Sequence, residues 1–76
     1  MASGLRWQDW IGRAAACPRE WPFWTEIVLP GGETFYCLDR GGKITYRPDG
    51  IPFVDLLVKV PPVPFGTVVD VQVIFP

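Results

Sequence analysis

The chain has 76 residues, 49% of them apolar, with 9 prolines, 8 glycines and a formal charge of −1. This length holds a single domain, residues 1–76, with a thin core; no apolar run reaches the length of a membrane-spanning helix, and the prolines and glycines interrupt any long helix. The basic residues stand apart at 6, 13, 19, 40, 43, 47 and 59, without the stripe that grips phosphate backbones, which excludes nucleic acid as a partner.

Residues 1–16 are ambiguous. Leu5, Trp10 and the alanines at 14, 15 and 16 tolerate a helical stripe, while Gly4 and Gly12 oppose one long helix. From Cys17 onward the pattern is extended. Cys17 and Trp21 each precede a proline, which pushes them out of the helical region. Residues 25–29 form a β-branched run closed by Pro30-Gly31-Gly32. Residues 33–38 alternate, with Thr34, Tyr36 and Leu38 on one face and Phe35 and Cys37 on the other, so the two runs predict a hairpin. Residues 43–47 read as a short strand ending at the turn Pro48-Asp49-Gly50. Residues 53–60 read as the most apolar strand, Pro61-Pro62-Val63-Pro64 as an extended connection, and residues 67–75 as the last strand.

Residues 21–28 align with residues 63–70 at an offset of 42, sharing the pattern x-Pro-Phe-x-Thr followed by β-branched positions. Two similar units in so short a chain imply two halves related by a pseudo-twofold axis and closed on each other, so that no long strand edge stays open.

Cys17 and Cys37 enclose a loop of about twenty residues. Paired, they stabilise the fold by roughly 3 kcal/mol in the chain-entropy model; in a reducing compartment they are instead two buried thiols. The thin core favours the bond. No signal peptide precedes the domain, so the expectation is a removed leader or an excised domain.

The chain has no His and no Asn, and its one Ser, Ser3, lies near the terminus. Catalytic triads and His-based zinc sites are therefore excluded, and no phosphate-binding or dinucleotide fingerprint is present. No metal or cofactor is expected. Carboxylates remain as the acid–base groups. Asp55 stands out within the apolar run Phe53-Val54-Asp55-Leu56-Leu57-Val58, because a charge in such a run is costly unless it is paired, hydrogen-bonded or exposed to a site.

Ala16-Cys17-Pro18, Trp21-Pro22-Phe23-Trp24-Thr25, Asp39-Arg40-Gly41-Gly42-Lys43-Ile44 and Val54-Asp55-Leu56, in that order, resemble the three-aspartate (3D) domain of bacterial and phage cell-wall proteins. The resemblance covers about residues 2–75. It implies an all-β fold, a small six-stranded double-psi β-barrel with an internal pseudo-twofold repeat, of the kind seen in MltA-type lytic transglycosylases and rare-lipoprotein-A-like proteins. The chain departs from that pattern at three places. Cys17 stands where the first aspartate is expected, Trp24 replaces the glycine of a Pro-Leu-Gly-Thr turn, and residues 45–52 add a hairpin between the two remaining aspartates.

The resemblance further implies lytic transglycosylase activity on peptidoglycan, a secreted setting outside the cytoplasm, extracellular or periplasmic, and Asp55 as the catalytic acid and base. An apolar surround disfavours the charged form of such an acid, and Val54 and Leu56 flank Asp55. Asp39 is the second carboxylate, orienting substrate or Asp55, or else a turn residue before Gly-Gly. Lys43 and Arg40 are candidates for contact with glycan or peptide stem, and Trp24 for stacking on a sugar, one or two of the four tryptophans lining a cleft. Cys17 is expected to bond to Cys37 rather than act as a nucleophile. The alternative is a non-catalytic barrel that binds peptidoglycan, another glycan or a protein, or is purely structural; in it Asp55 ties loops together through backbone N–H groups.

Overall fold

The computed structural model describes residues 1–43, 45–64 and 66–76. Among the described residues its regular structure is almost all strand. A single 3-10 turn, Trp7–Asp9, precedes β1 (Ala14–Cys17), β2 (Glu26–Val28), β3 (Thr34–Arg40), β4 (Asp55–Leu56) and β5 (Gln72–Ile74). These form one open mixed sheet of five strands in the order β4-β1-β3-β2-β5. β1 runs parallel to β3, and the other pairs are antiparallel.

The expected hairpin is β2–β3, with Glu26 opposite Tyr36, Ile27 opposite Phe35 and Val28 opposite Thr34. Leu29 N–H donates to Glu33 O at 2.9 Å and Gly32 N–H to Leu29 O at 2.9 Å, closing the Pro-Gly-Gly turn. β3 is longer than its sequence pattern predicts and carries Asp39 and Arg40 inside the strand. Asp39 is therefore a strand residue, not the first residue of a turn.

The other expected strands are shorter. Between 53 and 60 only Asp55–Leu56 is strand, and between 67 and 75 only Gln72–Ile74. In the region 43–47, Ile44 lies outside the described residues, and one bridge joins Tyr46 to Pro52. Arg47 N–H donates to Ile51 O and Gly50 N–H to Arg47 O, both at 2.8 Å, so the inserted segment is a minimal hairpin around Pro48-Asp49-Gly50.

The internal repeat is a repeat of turns. Thr25 N–H donates to Pro22 O at 3.2 Å, and Thr67 N–H donates to Pro64 O at 3.1 Å. The third turn residue has positive φ in both copies, 72° at Trp24 and 81° at Gly66, the signature of a type II turn. Phe65, within the second copy, lies outside the described residues.

The core gathers on one side of the sheet: Ala15, Cys17, Ile27, Leu29, Phe35 and Cys37 are buried together, with Trp21, Val54, Leu56 and Val58 packed against them. Cys17 and Cys37 form the disulfide, with a Cα–Cα separation of 5.6 Å, and neither is accessible to solvent. The bond stitches β1 to β3 at the centre of the sheet. The first repeat turn clamps the same point, since Trp24 N–H donates to Cys37 O at 3.0 Å and Cys37 N–H to Thr25 O at 2.9 Å.

Candidate functional site

The register of β1 with its two neighbours assembles the site. Ala16 pairs with Asp39 on β3 and with Asp55 on β4. The three residues form one row across adjacent strands, with the two aspartate Cα atoms about 10 Å apart at two strand spacings. Partners in such a row point to the same face, and here it is the face away from the disulfide core. Between Ala15 and Ala16 the pairing on β3 advances from Cys37 to Asp39, leaving Leu38 as an extra residue. This irregularity places Asp39 on the side of Tyr36.

Asp39 and Asp55 line a shared pocket of about 160 Å³ whose walls include Met1, Trp7, Ala16 and Leu56. The two carboxylates differ in environment. Asp39 is half-buried, and its Oδ1 accepts the backbone N–H of Ala2 and of Arg40, each at 2.9 Å. With Ser3 N–H donating to Leu38 O at 3.1 Å, Asp39 pins the N-terminal segment over the sheet. Removing that acceptor in Asp39→Ala is expected to release residues 1–4, seen as faster amide exchange at Ala2 and Ser3, while Asp39→Asn, which keeps a carbonyl acceptor, holds them.

Asp55 is exposed, at the sheet edge. Apolar side chains line the cavities beside it, yet the residue itself stays open to solvent. Val54 and Leu56, the half-buried neighbours, pack toward the core, and alternation along the strand turns Asp55 outward. Among the described residues its carboxylate makes no hydrogen bond or ion pair. That answers the puzzle of a charge in an apolar run: exposure, not a partner, accommodates it.

Asp55 also borders a larger cleft of about 750 Å³, lined mainly by apolar side chains such as Ile27, Leu56, Val69 and Val73, together with Arg47 and Asp70. Leu56 of β4 and Val73 of β5 both line this cleft, so the two edge strands share it. Asp70 and Arg47 were not singled out from the sequence. Asp70 was legible by the rule that flagged Asp55, a carboxylate within an apolar run, here Val68-Val69-Asp70-Val71.

The remaining candidates are distributed. Arg40 lies over the Phe23 ring at 3.9 Å and donates through Nη1 to Trp21 O at 2.6 Å, so it fastens the end of β3 to the first repeat turn. Lys43 is exposed. Trp24 lines neither cavity; it is 46% exposed and packs edge-on against Trp10, with ring centroids 5.5 Å apart, and Tyr36, at 5.8 Å. The tryptophans that do line cavities are Trp7, beside the two aspartates, and Trp21, in the larger cleft.

Among the described residues no cluster of His, Cys, Asp or Glu has the arrangement of a metal site, and no helix is long and apolar enough to cross a membrane. Comparison with protein-family models, with curated proteins and with solved structures gives no match to this chain.

Proposed function

We propose that this chain is a carboxylate-bearing domain acting on cell-wall glycan, cleaving it as a lytic transglycosylase does, with Asp55 as acid and base. The carrying observation is the row Asp39–Ala16–Asp55, which sets two carboxylates from distant parts of the chain on one face around a shared pocket. Protonated Asp55 gives its proton to the glycosidic oxygen as the bond from that oxygen to the anomeric carbon breaks. Its carboxylate then takes the proton of the sugar's own 6-hydroxyl, whose oxygen closes on the anomeric carbon. One carboxyl group serves both transfers. A sugar seated over the exposed carboxylate displaces the water around it. Asp39, held by two N–H groups, is the fixed member and orients the substrate.

The fold reading belongs to the same proposal. A six-stranded double-psi barrel is supported by the parallel β1–β3 pair, by the turn repeat, and by the larger cleft that residues of both edge strands and residues 66–71 line together. The disulfide supports a setting outside the reducing cytoplasm, extracellular or periplasmic.

A second reading, a non-catalytic module that binds glycan or a protein partner, is favoured by the commitment of Asp39 to the N-terminal segment. Incubation with purified peptidoglycan and mass analysis of the soluble products separates the two. Catalysis predicts anhydro-sugar products that fall at least 100-fold in Asp55→Asn, on the scale of lost acid–base catalysis, with the circular dichroism spectrum unchanged. Intact peptidoglycan that retains the wild-type protein in a pull-down removes the catalytic reading and leaves the binding one.

A further inference from the structure

We propose that the face bearing the two aspartates also carries a stacking track for an extended glycan strand, running from their pocket over Trp7 and Trp10 to Trp24 and Tyr36. The inference rests on the glycan reading above and names the surface that holds the substrate.

The first observation is backbone strain at Trp24. Its φ of 72° lies in the left-handed region, and the same position in the second repeat turn is Gly66, with φ 81°. A side chain there costs on the order of 1–2 kcal/mol, which glycine avoids. Burial does not offset this cost well, because the indole is 46% exposed. The sequence thus maintains a large aromatic ring, outward-facing, at a place where the backbone favours glycine.

The second observation is continuity. Tyr36, Ala14 and Glu26 share a row, and the rearranged register brings Ala16, Asp39 and Asp55 onto the same face. Trp10 sits one 3-10 turn beyond Trp7, its N–H donating to Trp7 O at 3.0 Å, and its ring meets Trp24, whose ring meets Tyr36. Tyr36 and Asp39 are three residues apart on β3, at most about 10 Å at strand rise, and the aromatic rings continue from Tyr36 to Trp24 and Trp10.

The third is the match of chemistry. A pyranose offers apolar C–H faces to aromatic rings and hydroxyl donors to carboxylates, and this face supplies both, with Glu26, Asp39 and Asp55 beside the rings. Arg13, the cation over Trp10 at 4.3 Å, donates to Asp9 O at 2.6 Å. Carboxylates along the track repel a polyanion and suit a neutral polyol.

The probe is an N-acetylglucosamine tetramer titrated by calorimetry into wild-type protein, Trp24→Gly, Trp10→Ala and Asp55→Asn, with thermal melts and sedimentation on each. The track predicts that Trp24→Gly weakens binding at least tenfold while its melting temperature holds or rises, since strain is relieved, and that Asp55→Asn, which keeps an acceptor oxygen, weakens it less than Trp24→Gly does. Trp10→Ala weakens binding by a similar factor. Wild-type affinity in Trp24→Gly overturns the track, and peptidoglycan cleavage persisting in that variant leaves the catalytic proposal intact. Tetramer binding lost in Trp24→Gly, from a wild type that cleaves nothing, upholds the track and removes catalysis. A wild type that ignores the tetramer overturns the track, and a dimer that Trp24→Gly dissolves identifies the ring as a contact between copies.

Discussion

Replacing Cys17 and Cys37 together by alanine is expected to lower the free energy of unfolding by about 3 kcal/mol. The bond closes a ring with a sequence separation of 20, and that ring holds all of β2 and the first repeat turn. Without it, the unfolded chain regains the entropy of that loop, while the native sheet must hold its central parallel pair by backbone hydrogen bonds alone. For a domain of this size the melting temperature should fall by roughly 15 °C or more. Chemical denaturation and thermal melting of the variant, and of wild type with and without reductant, check this. An unchanged denaturation midpoint would show that the β1–β3 ladder is sufficient.

The second large effect is expected for Phe35→Ala. Phe35 is 3% exposed, sits on the central strand opposite Ile27, and packs in the cluster that surrounds the disulfide. Truncating a buried phenylalanine costs about 3–5 kcal/mol through lost transfer energy and the cavity left behind. A small domain has on the order of 5 kcal/mol in total, so this variant should lose its cooperative thermal transition. Phe53, 48% exposed, is the control: Phe53→Ala should stay within about 0.5 kcal/mol of wild type. Equal melting curves for the two variants would mean that the core lies elsewhere.

Local chemistry made part of this architecture readable from the sequence. The β2–β3 hairpin follows from alternation on either side of Pro-Gly-Gly, and the two repeat turns follow from x-Pro-Phe-x-Thr, because proline, a position of positive φ and a threonine each have a local reason to be there. The disulfide was legible as one of two states of a cysteine pair. β1 was not legible. Ala14, Ala15 and Ala16 have no preference for strand; they are extended because β3 and β4 hydrogen-bond to them on both sides. The strands expected at 53–60 and 67–75 were read too long because apolar, β-branched composition is shared by strands and by the extended segments lining the larger cleft.

The site was legible in kind but not in arrangement. Asp39 and Asp55 are marked by their sequence contexts, yet their adjacency depends on β1 lying between β3 and β4, a crossover that no local pattern encodes. The same holds for Trp7, which reaches the aspartates only because the N-terminal segment crosses the sheet. Arg40 was marked as a candidate for contact with glycan or peptide stem, and its guanidinium spans to Phe23 and the Trp21 carbonyl, a contact set by how β3 ends.

Leu38 adds one residue to β3 relative to its parallel partner, and so reverses odd and even for all that follows on the strand. Read by simple alternation from Phe35, Asp39 would point beneath the sheet with Cys37 and Arg40 would point outward. The inserted leucine exchanges their sides. Deleting Leu38 would leave Asp39 directly after Cys37 in a strand that pairs regularly with β1, so the carboxylate and the guanidinium would keep their sides: the irregularity accommodates the extra leucine without turning a carboxylate into the apolar interior.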